Sequence, residues 1–409
     1  MNSPLYKDIS RQFRHRDCWK DECPLTFTAE GFDLYNISFT SRNAHFLLGQ
    51  QEYTCSEHGV TFPGEPNPQE PADAFVRENI HFRYPLVREH AATGGRTRHS
   101  QLLILLHGLN EHSFSKYIPW AYHIWKKSRT PVALFPLTFH INRVAPEWGR
   151  RQQESVANRR NIVGNENTHR FNAVISERLA AYPERFFWGA MQSYWDVIDL
   201  VKQIRTGEHP HIAPQARIDL LGYSAGGFVA LALLLEDHER LFQESRGVLF
   251  ASCAALRDIN LSSHLIVDLE AEIGLMKLYV KYRDKLANPR LKHWLDAHSE
   301  GRWFNAFCGL MPNRTLLESR LKELAPRLVG IANTNDQVMP PGAMLNALQG
   351  IRRSTGVRID ELELGIHENP FCSPDYNQRD RAVVLEFMNE ERYGEGFRAF
   401  VELVVGHIS

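Results

Sequence analysis

The sequence lacks the features that mark several special classes of protein. Its 409 residues carry a formal net charge of -1 at pH 7, so the charge balance does not indicate nucleic acid or an anionic membrane surface as a partner. The longest apolar runs, such as residues 228–235, are far too short to span a bilayer. Residues 1–20 are polar and contain no apolar core of a secretory signal. We therefore expect a cytoplasmic protein without a transmembrane segment.

Cysteine is scarce, and its spacing does not predict a disulfide framework. The six cysteines are residues 18, 23, 55, 253, 308 and 372. In a chain of this length without a signal we expect them to remain thiols. Cys18 and Cys23, with His15 nearby, would hold a metal only with a second ligand pair, for which Cys55 and His58 are the only nearby candidates. We favour ordinary thiols there and predict no metal site.

The residues that are present predict an ordinary globular protein. Apolar residues make up 43% of the chain and charged residues 23%, which is enough apolar material for a substantial core. A length of 409 residues allows one large domain with insertions, or two domains.

The chain is organised around a G-x-S-x-G motif at residues 222–226, with Ser224 at its centre. An apolar, strand-like run precedes the motif, and an Ala/Leu-rich run typical of a helix follows it. A nucleophilic serine needs such a tight strand-to-helix turn, where glycines let strand and helix approach closely. The N–H of Ala225, at the start of that helix, is positioned to stabilise a developing oxyanion. The alternative is a chance match to a short motif.

Buried strands alternate with helices around this motif. The apolar runs 101–106 and 131–136 flank an amphipathic segment at 117–127, which predicts a strand–helix–strand unit and a parallel sheet. Further strands are predicted at 217–221, 247–251, 328–332 and 357–365, after an amphipathic helix at 189–204. Residues 74–84 are also compatible with a strand, residues 210–214 with a break, and residues 378–391 with a final helix.

Other segments interrupt this alternation. Residues 1–100 are expected to supply the first antiparallel strands and an N-terminal extension, and residues 101–391 the core. Residues 140–186 form a first insertion that holds eight arginines and five glutamates. We interpret it as a solvated flap in preference to a mobile cover whose arginines meet an acidic substrate. Residues 258–325 are expected to form a helical cap. The C-terminal tail at 392–409, which is apolar and β-prone over residues 397–405, has no predicted place.

Two further residues complete a catalytic pattern with Ser224. A serine hydroxyl needs an adjacent base, and that base needs an orienting partner. Asp336 and His367 each follow a predicted strand, where α/β enzymes place their chemistry, and they come in the chain order Ser, Asp, His. Each has an ordinary alternative: Asp336 could cap a helix, and His367 is one of 19 histidines. Ser224, Asp336 and His367 follow three predicted strands in this order. This pattern favours a catalytic role over the ordinary alternatives.

The chain resembles the α/β-hydrolase superfamily. The resemblance rests on the segments 107–109, 222–227, 336–340 and 365–367 and covers roughly residues 101–139 and 188–391. It implies a mostly parallel central sheet flanked by helices, with the second oxyanion N–H supplied by Leu109 and a structural His107. Asn333 replaces a glycine that the family often has, so Asp258, where some lipases carry the acid, is the fallback for Asp336.

The resemblance does not identify a substrate. Neither an HGGG motif nor a peptidase feature is present. We expect a serine hydrolase that acts on a carboxylic ester and requires no metal or organic cofactor, with a small-molecule acyl compound as its partner. An acyltransferase or thioesterase with the same catalytic set, and a non-catalytic protein with the same fold, are the alternatives. The oligomeric state is not indicated.

Overall fold

The computed structural model describes most of the chain. The described residues are 25–27, 31–49, 52–64, 72–90, 98–263, 265–283, 288–307, 314–350, 352–371 and 391–409.

Nine strands of the described chain form one sheet. Its order is β1-β2-β5-β7-β6-β8-β9-β10-β11, and β7, β6, β8, β9, β10 and β11 are parallel to one another. The strands β1, β2 and β5 pair antiparallel at one edge. The strands β3 and β4 form a separate two-stranded hairpin. The bounds are β1 Leu25–Phe27, β2 Phe32–Thr40, β3 Glu52–Thr54, β4 Thr61–Pro63, β5 His81–Glu89, β6 His99–Leu106, β7 Val132–Phe135, β8 Ile212–Tyr223, β9 Gly247–Phe250, β10 Leu328–Asn333 and β11 Arg358–Leu362.

Helices cover both faces of this sheet. The bounds are α1 Arg77–Ile80, α2 Tyr117–Ser128, α3 Pro146–Arg150, α4 Gln152–Arg160, α5 Ala173–Ala181, α6 Arg185–Arg205, α7 Ala225–Glu236, α8 Leu269–Arg283, α9 Pro289–Ala297, α10 Ser299–Phe307, α11 Arg314–Leu324, α12 Pro341–Gln349 and α13 Glu391–Ile408. The prediction of an α/β-hydrolase fold with a mostly parallel sheet flanked by helices is confirmed. No helix of the described residues is both long and apolar enough to cross a membrane.

The strand β6 shows why the central strands are continuously apolar. Leu102, Ile104 and Leu106 belong to the core on one face, which includes α6 and α7. Leu103 and Leu105 belong to the core on the other face, which includes α2 and α13. Successive side chains of a strand point to opposite faces, so a strand covered on both faces needs an apolar residue at every position.

The tail of the chain corrects the sequence-based expectation. Residues 397–405, interpreted as β-prone, lie in α13, which packs against α2. Phe397, Phe400, Val404 and Ile408 are buried at helical spacing on the face that meets the core. Burial of this face outweighs the β-propensity of Phe and Val, which is a weak preference that depends on context. The helix predicted at 378–391 falls almost wholly outside the described residues.

Two shorter predictions are confirmed only in part. Residues 74–84 are not one strand: α1 occupies Arg77–Ile80, and β5 begins only at His81. Arg143 donates from Nε to the side chain of the fully buried Asn79, which holds the chain out of the sheet there. The break predicted at 210–214 is observed in part: residues 209–211 form bends, β8 begins at Ile212, and its pairing with β6 is irregular between Ile212 and Arg217.

The first insertion differs from a solvated flap. Arg143 and Arg159 are buried and pair with Asp196 and Asp268. Arg178 and Arg185 are buried and both donate to one carboxylate, that of Asp73. These arginines serve as internal ion-pair partners, because buried guanidinium groups require compensating charge and hydrogen bonds.

Candidate active site

The sequence motif at Ser224 adopts a strained turn. Ser224 joins β8 to α7 with φ 51° and ψ -121°, a backbone conformation that L residues rarely adopt. Its N–H donates to the carbonyl of Phe250 at 3.0 Å, and its carbonyl accepts from the N–H of Gly227 at 3.0 Å. These bonds from β9 and from the first turn of α7 hold the strained residue in place.

The motif glycines are required by close backbone contacts. A Cβ on Gly222 would lie 2.4 Å from the Cα of Gly227. A Cβ on Gly226 would lie 2.3 Å from the carbonyl oxygen of Leu106 at the end of β6. Neither contact can be relieved by turning a side chain, since backbone atoms are involved.

Ser224, His367 and Asp336 form one hydrogen-bonded chain. The Nε2 atom of His367 lies 2.8 Å from the Oγ of Ser224. Its Nδ1 atom lies 2.6 Å from Oδ2 of Asp336. All three are nearly buried, with exposed fractions of 7%, 3% and 4% for Ser224, His367 and Asp336. Three residues from the ends of β8, β10 and β11 therefore meet at one edge of the sheet.

The surroundings of Asp336 determine the tautomer of His367. Oδ1 of Asp336 accepts from the N–H groups of Val338 and Met339 at 2.9 and 2.7 Å, which leaves Oδ2 for the imidazole. A carboxylate can only accept, so Nδ1 of His367 carries the proton and donates. The lone pair of Nε2 then faces Ser224, the arrangement in which a neutral imidazole can take the hydroxyl proton.

The fallback acid lies elsewhere. Asp258 follows β9 in a short 3-10 turn, and its side chain is 36% exposed. Its carboxylate lies 3.6 Å from Nε of the neighbouring Arg257. The structure brings Asp336, and not Asp258, against His367.

His107 is a buried connector. Its Nδ1 donates to the carbonyl of Gly108 at 2.8 Å, and its Nε2 accepts from the N–H of Leu137 at 2.9 Å. Burial lowers the pKa of His107 well below its ordinary value, so the ring stays neutral. The imidazole thereby joins the loops that follow β6 and β7.

The two expected oxyanion residues border one cavity. Leu109 and Ala225 both line it. Gly108 lies directly against the serine, because a Cβ there would be 3.3 Å from the Cβ of Ser224. Leu109 and Ala225 therefore border the same cavity, and Gly108 lies next to Ser224.

Sequence reasoning missed Asn110. Its backbone has φ 60°, and its side-chain Nδ2 donates to the carbonyls of Phe171 and Leu265 at 2.8 and 2.7 Å. The amide thus connects the loop after β6 to both inserted segments. The only sequence signal was an asparagine two residues past Gly108, since asparagine tolerates positive φ better than most residues.

The cavity beside Ser224 is mainly apolar and aromatic. It reaches the turn of Ser224 through Ala225, whereas Ser224 itself is not among the residues that line it. It encloses about 180 Å³. The inserted segment between β7 and α6 supplies much of its wall, and α10 contributes two phenylalanines. Its aromatic residues are Phe139, Trp148, Phe171, Phe186, Phe187, Phe228, Phe304 and Phe307. Arg178 and Arg185, which also line it, are already paired with Asp73.

Comparisons with known proteins give a family but no activity. A model of the family of unknown function DUF6051 matches residues 5–390. No curated protein matches the chain significantly. Among solved structures, a mutant of the esterase rPPE is 10% identical with a TM-score of 0.47, covering 100% of this chain and 92% of that one. The esterase Est22 is 13% identical with a TM-score of 0.46, covering 100% and 89%. Carboxyl esterase 2 of the mycorrhizal fungus Tuber melanosporum is 13% identical with a TM-score of 0.39, covering 84% and 90%.

Proposed function

The chain belongs to the family of unknown function DUF6051, and we propose that it is a serine hydrolase that cleaves a carboxylic ester. One observation carries the proposal. The hydrogen-bonded chain from Asp336 through His367 ends on Ser224, which lies in a strained turn, and the next residue, Ala225, lines an apolar cavity.

Acylation follows from this geometry. The Oγ of Ser224 attacks the ester carbonyl carbon while Nε2 of His367 takes the hydroxyl proton. Asp336 keeps the imidazole oriented and stabilises the imidazolium that forms. The N–H groups of Leu109 and Ala225 donate to the oxyanion of the tetrahedral intermediate. When the intermediate collapses, the C–O bond to the leaving alcohol breaks, and the alkoxide takes its proton from Nε2.

Deacylation repeats the same steps with water. His367 takes a proton from a water molecule, whose oxygen attacks the acyl carbon. The second tetrahedral intermediate breaks the bond to the Oγ of Ser224, which recovers its proton from Nε2 and releases the carboxylic acid. No step requires a group beyond these residues and water.

The cavity supports a compact apolar acyl or aromatic group as the part of the substrate beside Ser224. Its volume of about 180 Å³ slightly exceeds that of an apolar cavity of about 150 Å³ that accommodates a benzene ring. The polar side chains Arg178 and Arg185 already have Asp73 as their partner, so the wall offers no free charge from them to an ionic substrate.

Labelling with a fluorophosphonate tests the proposal. We expect one covalent adduct on the wild-type protein by intact mass, none on Ser224→Ala, and an unchanged adduct on Ser128→Ala, whose hydroxyl caps the end of α2. Turnover of short-chain and aromatic aryl esters should fall at least about 10⁴-fold in Ser224→Ala. A folded wild-type protein that forms no adduct and hydrolyses no ester would favour the non-catalytic alternative. Product analysis with added alcohols or thiols distinguishes acyl transfer from hydrolysis.

A further inference from the structure

A second cluster of reactive side chains lies outside the candidate active site. Cys55, His58, His293 and His298, called here the Cys/His cluster, each offer one ligand atom, and these atoms lie within 4.8 Å of one another. None of the four lines the cavity beside Ser224.

Two distant parts of the chain build the Cys/His cluster. Cys55 and His58 lie in the turn between β3 and β4, which is closed by a hydrogen bond from the N–H of Cys55 to the carbonyl of Val60 at 2.9 Å. His293 lies in α9, and His298 is its C-terminal capping residue. The resulting spacings, Cys-x2-His and His-x4-His, match the short intervals typical of structural zinc ligands.

Two of the distances are close to those around a tetrahedral metal ion. The Sγ of Cys55 lies 3.2 Å from Nε2 of His298 and 3.5 Å from Nδ1 of His58. Bond lengths of about 2.3 Å for Zn–S and about 2.0–2.1 Å for Zn–N at tetrahedral angles separate the sulfur and a nitrogen by about 3.6 Å. These two contacts therefore need only small adjustments to admit the ion.

The ring of His298 is oriented as a ligand. Its Nδ1 lies 3.0 Å from Oε2 of Glu57 and therefore carries a proton that is donated to the carboxylate. The lone pair of Nε2 then faces Cys55. Trp294 stacks on the same imidazole with centroids 3.5 Å apart and planes at 23°, which fixes its orientation. A carboxylate behind the imidazole is the usual outer partner of a metal-binding histidine.

Protein hydrogen bonds alone do not satisfy this group. The thiol of Cys55 can donate to Nε2 of His298 and accept from Nδ1–H of His58, so the unmet requirement of the group lies at His293. Nε2 of His293 is buried and has no hydrogen-bond partner among the described residues. A divalent cation would accept the sulfur and all three nitrogens at once, which removes this deficit.

We propose that the Cys/His cluster binds one Zn²⁺. Cys55 binds as a thiolate, and its thiol proton passes to solvent when the Zn–S bond forms. His58, His293 and His298 bind as neutral imidazoles. Four protein ligands fill a tetrahedral shell, so the ion is structural and has no open position for substrate. This inference does not depend on the proposed hydrolase activity.

The ion would join the β3–β4 hairpin to the helices α9 and α10. The hairpin already touches α9, where the ring of Phe62 lies 5.2 Å from that of His293. His298 directly precedes α10, whose Phe304 and Phe307 line the cavity beside Ser224. From the sequence, Cys18 and Cys23 are the possible second ligand pair for Cys55 and His58, but they lie outside the described residues. In the structure, His293 and His298 lie beside Cys55 and His58.

Metal content tests the proposal directly. The full chain is purified without a polyhistidine tag, and metal is measured by mass spectrometry. We expect about one Zn²⁺ per chain in the wild type and less than about a tenth of that in Cys55→Ala and His293→Ala. Cys253→Ala is the matched control, because Cys253 is also a buried thiol but lies outside the cluster. Glu57→Gln should retain the site with an affinity about 10- to 100-fold lower.

A second experiment needs no variant and covers the case in which the variants fail to fold. Wild-type protein is stripped with a chelator and titrated with Co²⁺ or Zn²⁺. We expect the visible absorption of tetrahedral Co²⁺ with a thiolate charge-transfer band. We also expect bound Zn²⁺ to protect Cys55 from an alkylating reagent. A wild type that purifies without metal, shows no cobalt spectrum and gains no protection would overturn the proposal. Equal zinc in wild type and in folded Cys55→Ala would overturn it as well.

Discussion

Tyr223 binds His367, the residue that contacts Ser224, the next residue after Tyr223 in the chain. Its phenolic hydroxyl donates a hydrogen bond to the backbone carbonyl of His367, and the two rings stack with centroids 5.5 Å apart and planes at 21°. Burial raises the pKa of Tyr223 well above its ordinary value, so the hydroxyl stays protonated and can donate. Tyr223, the residue between Gly222 and Ser224 in the motif, thus contributes to positioning the imidazole of His367.

We predict that Tyr223→Phe lowers kcat about 10-fold and leaves KM nearly unchanged, because the base is less well placed while the cavity is intact. Steady-state kinetics on an aryl ester measures both constants. Tyr84→Phe is the control. The hydroxyl of Tyr84 contacts His209, so its removal should lower the free energy of unfolding by about 1 kcal/mol without changing kcat. Identical kcat in Tyr223→Phe and the wild type would contradict a positioning role.

The two candidate acids should respond differently. Asp336→Asn should lower kcat about 10⁴-fold, because an amide at this position can hold the imidazole in the wrong tautomer. Asp258→Asn should retain wild-type kcat, because its carboxylate lies beside Arg257 and not against His367. Parallel kinetics and thermal unfolding of both variants distinguish loss of catalysis from loss of fold. Inactivation by Asp258→Asn alone would reverse the assignment.

The motif glycines should be intolerant of any side chain. In Gly226→Ala the new Cβ meets the carbonyl of Leu106 at 2.3 Å, and we expect a loss of at least about 3 kcal/mol in the free energy of unfolding. Gly342→Ala is the matched control. Gly342 lies in α12 with no atom within 4 Å of the added Cβ, so this change should stabilise by up to about 1 kcal/mol. Urea unfolding measures both; equal effects would be inconsistent with the close contact.

Buried His209 should make the fold sensitive to acid. Its Nδ1 accepts from the N–H groups of His211 and Ile212, and burial lowers its pKa from 6.5 to about 3. Below pH 6.5 the unfolded chain binds a proton there that the folded chain does not. Stability is therefore full above pH 6.5 and falls as the pH drops toward about 3.

From about pH 7 to about pH 5.5 this single group should lower the free energy of unfolding by about 1 kcal/mol. His209→Asn keeps an acceptor near the two N–H groups but does not titrate. The slope of the free energy of unfolding against pH should therefore be shallower, with about 1 kcal/mol less lost between the two pH values. Urea unfolding at the two pH values measures the slope. An equal slope in wild type and His209→Asn would exclude this role for His209.

The arginines of residues 140–186 show a limit of sequence reasoning. Their density predicted an exposed, solvated segment, yet Arg159 pairs with Asp268, which lies 109 positions further along the chain. Composition records how many charges a segment holds but not which distant carboxylate will meet them. The C-terminal helix shows the same limit, since burial against α2 outweighed the local β-propensity.

The sequence by itself determined the elements whose signals are local. Continuous apolar runs predicted the central strands, the G-x-S-x-G motif predicted the tight turn at Ser224, and chain order selected Asp336 and His367. Only the tertiary structure decided the contacts between distant segments: the hydrogen bonds that join these three residues, the connection of Asn110 to both insertions, and the meeting of Cys55 with His298 across 243 positions. A local pattern follows from the sterics of a few neighbouring residues, whereas such contacts depend on how the whole chain packs.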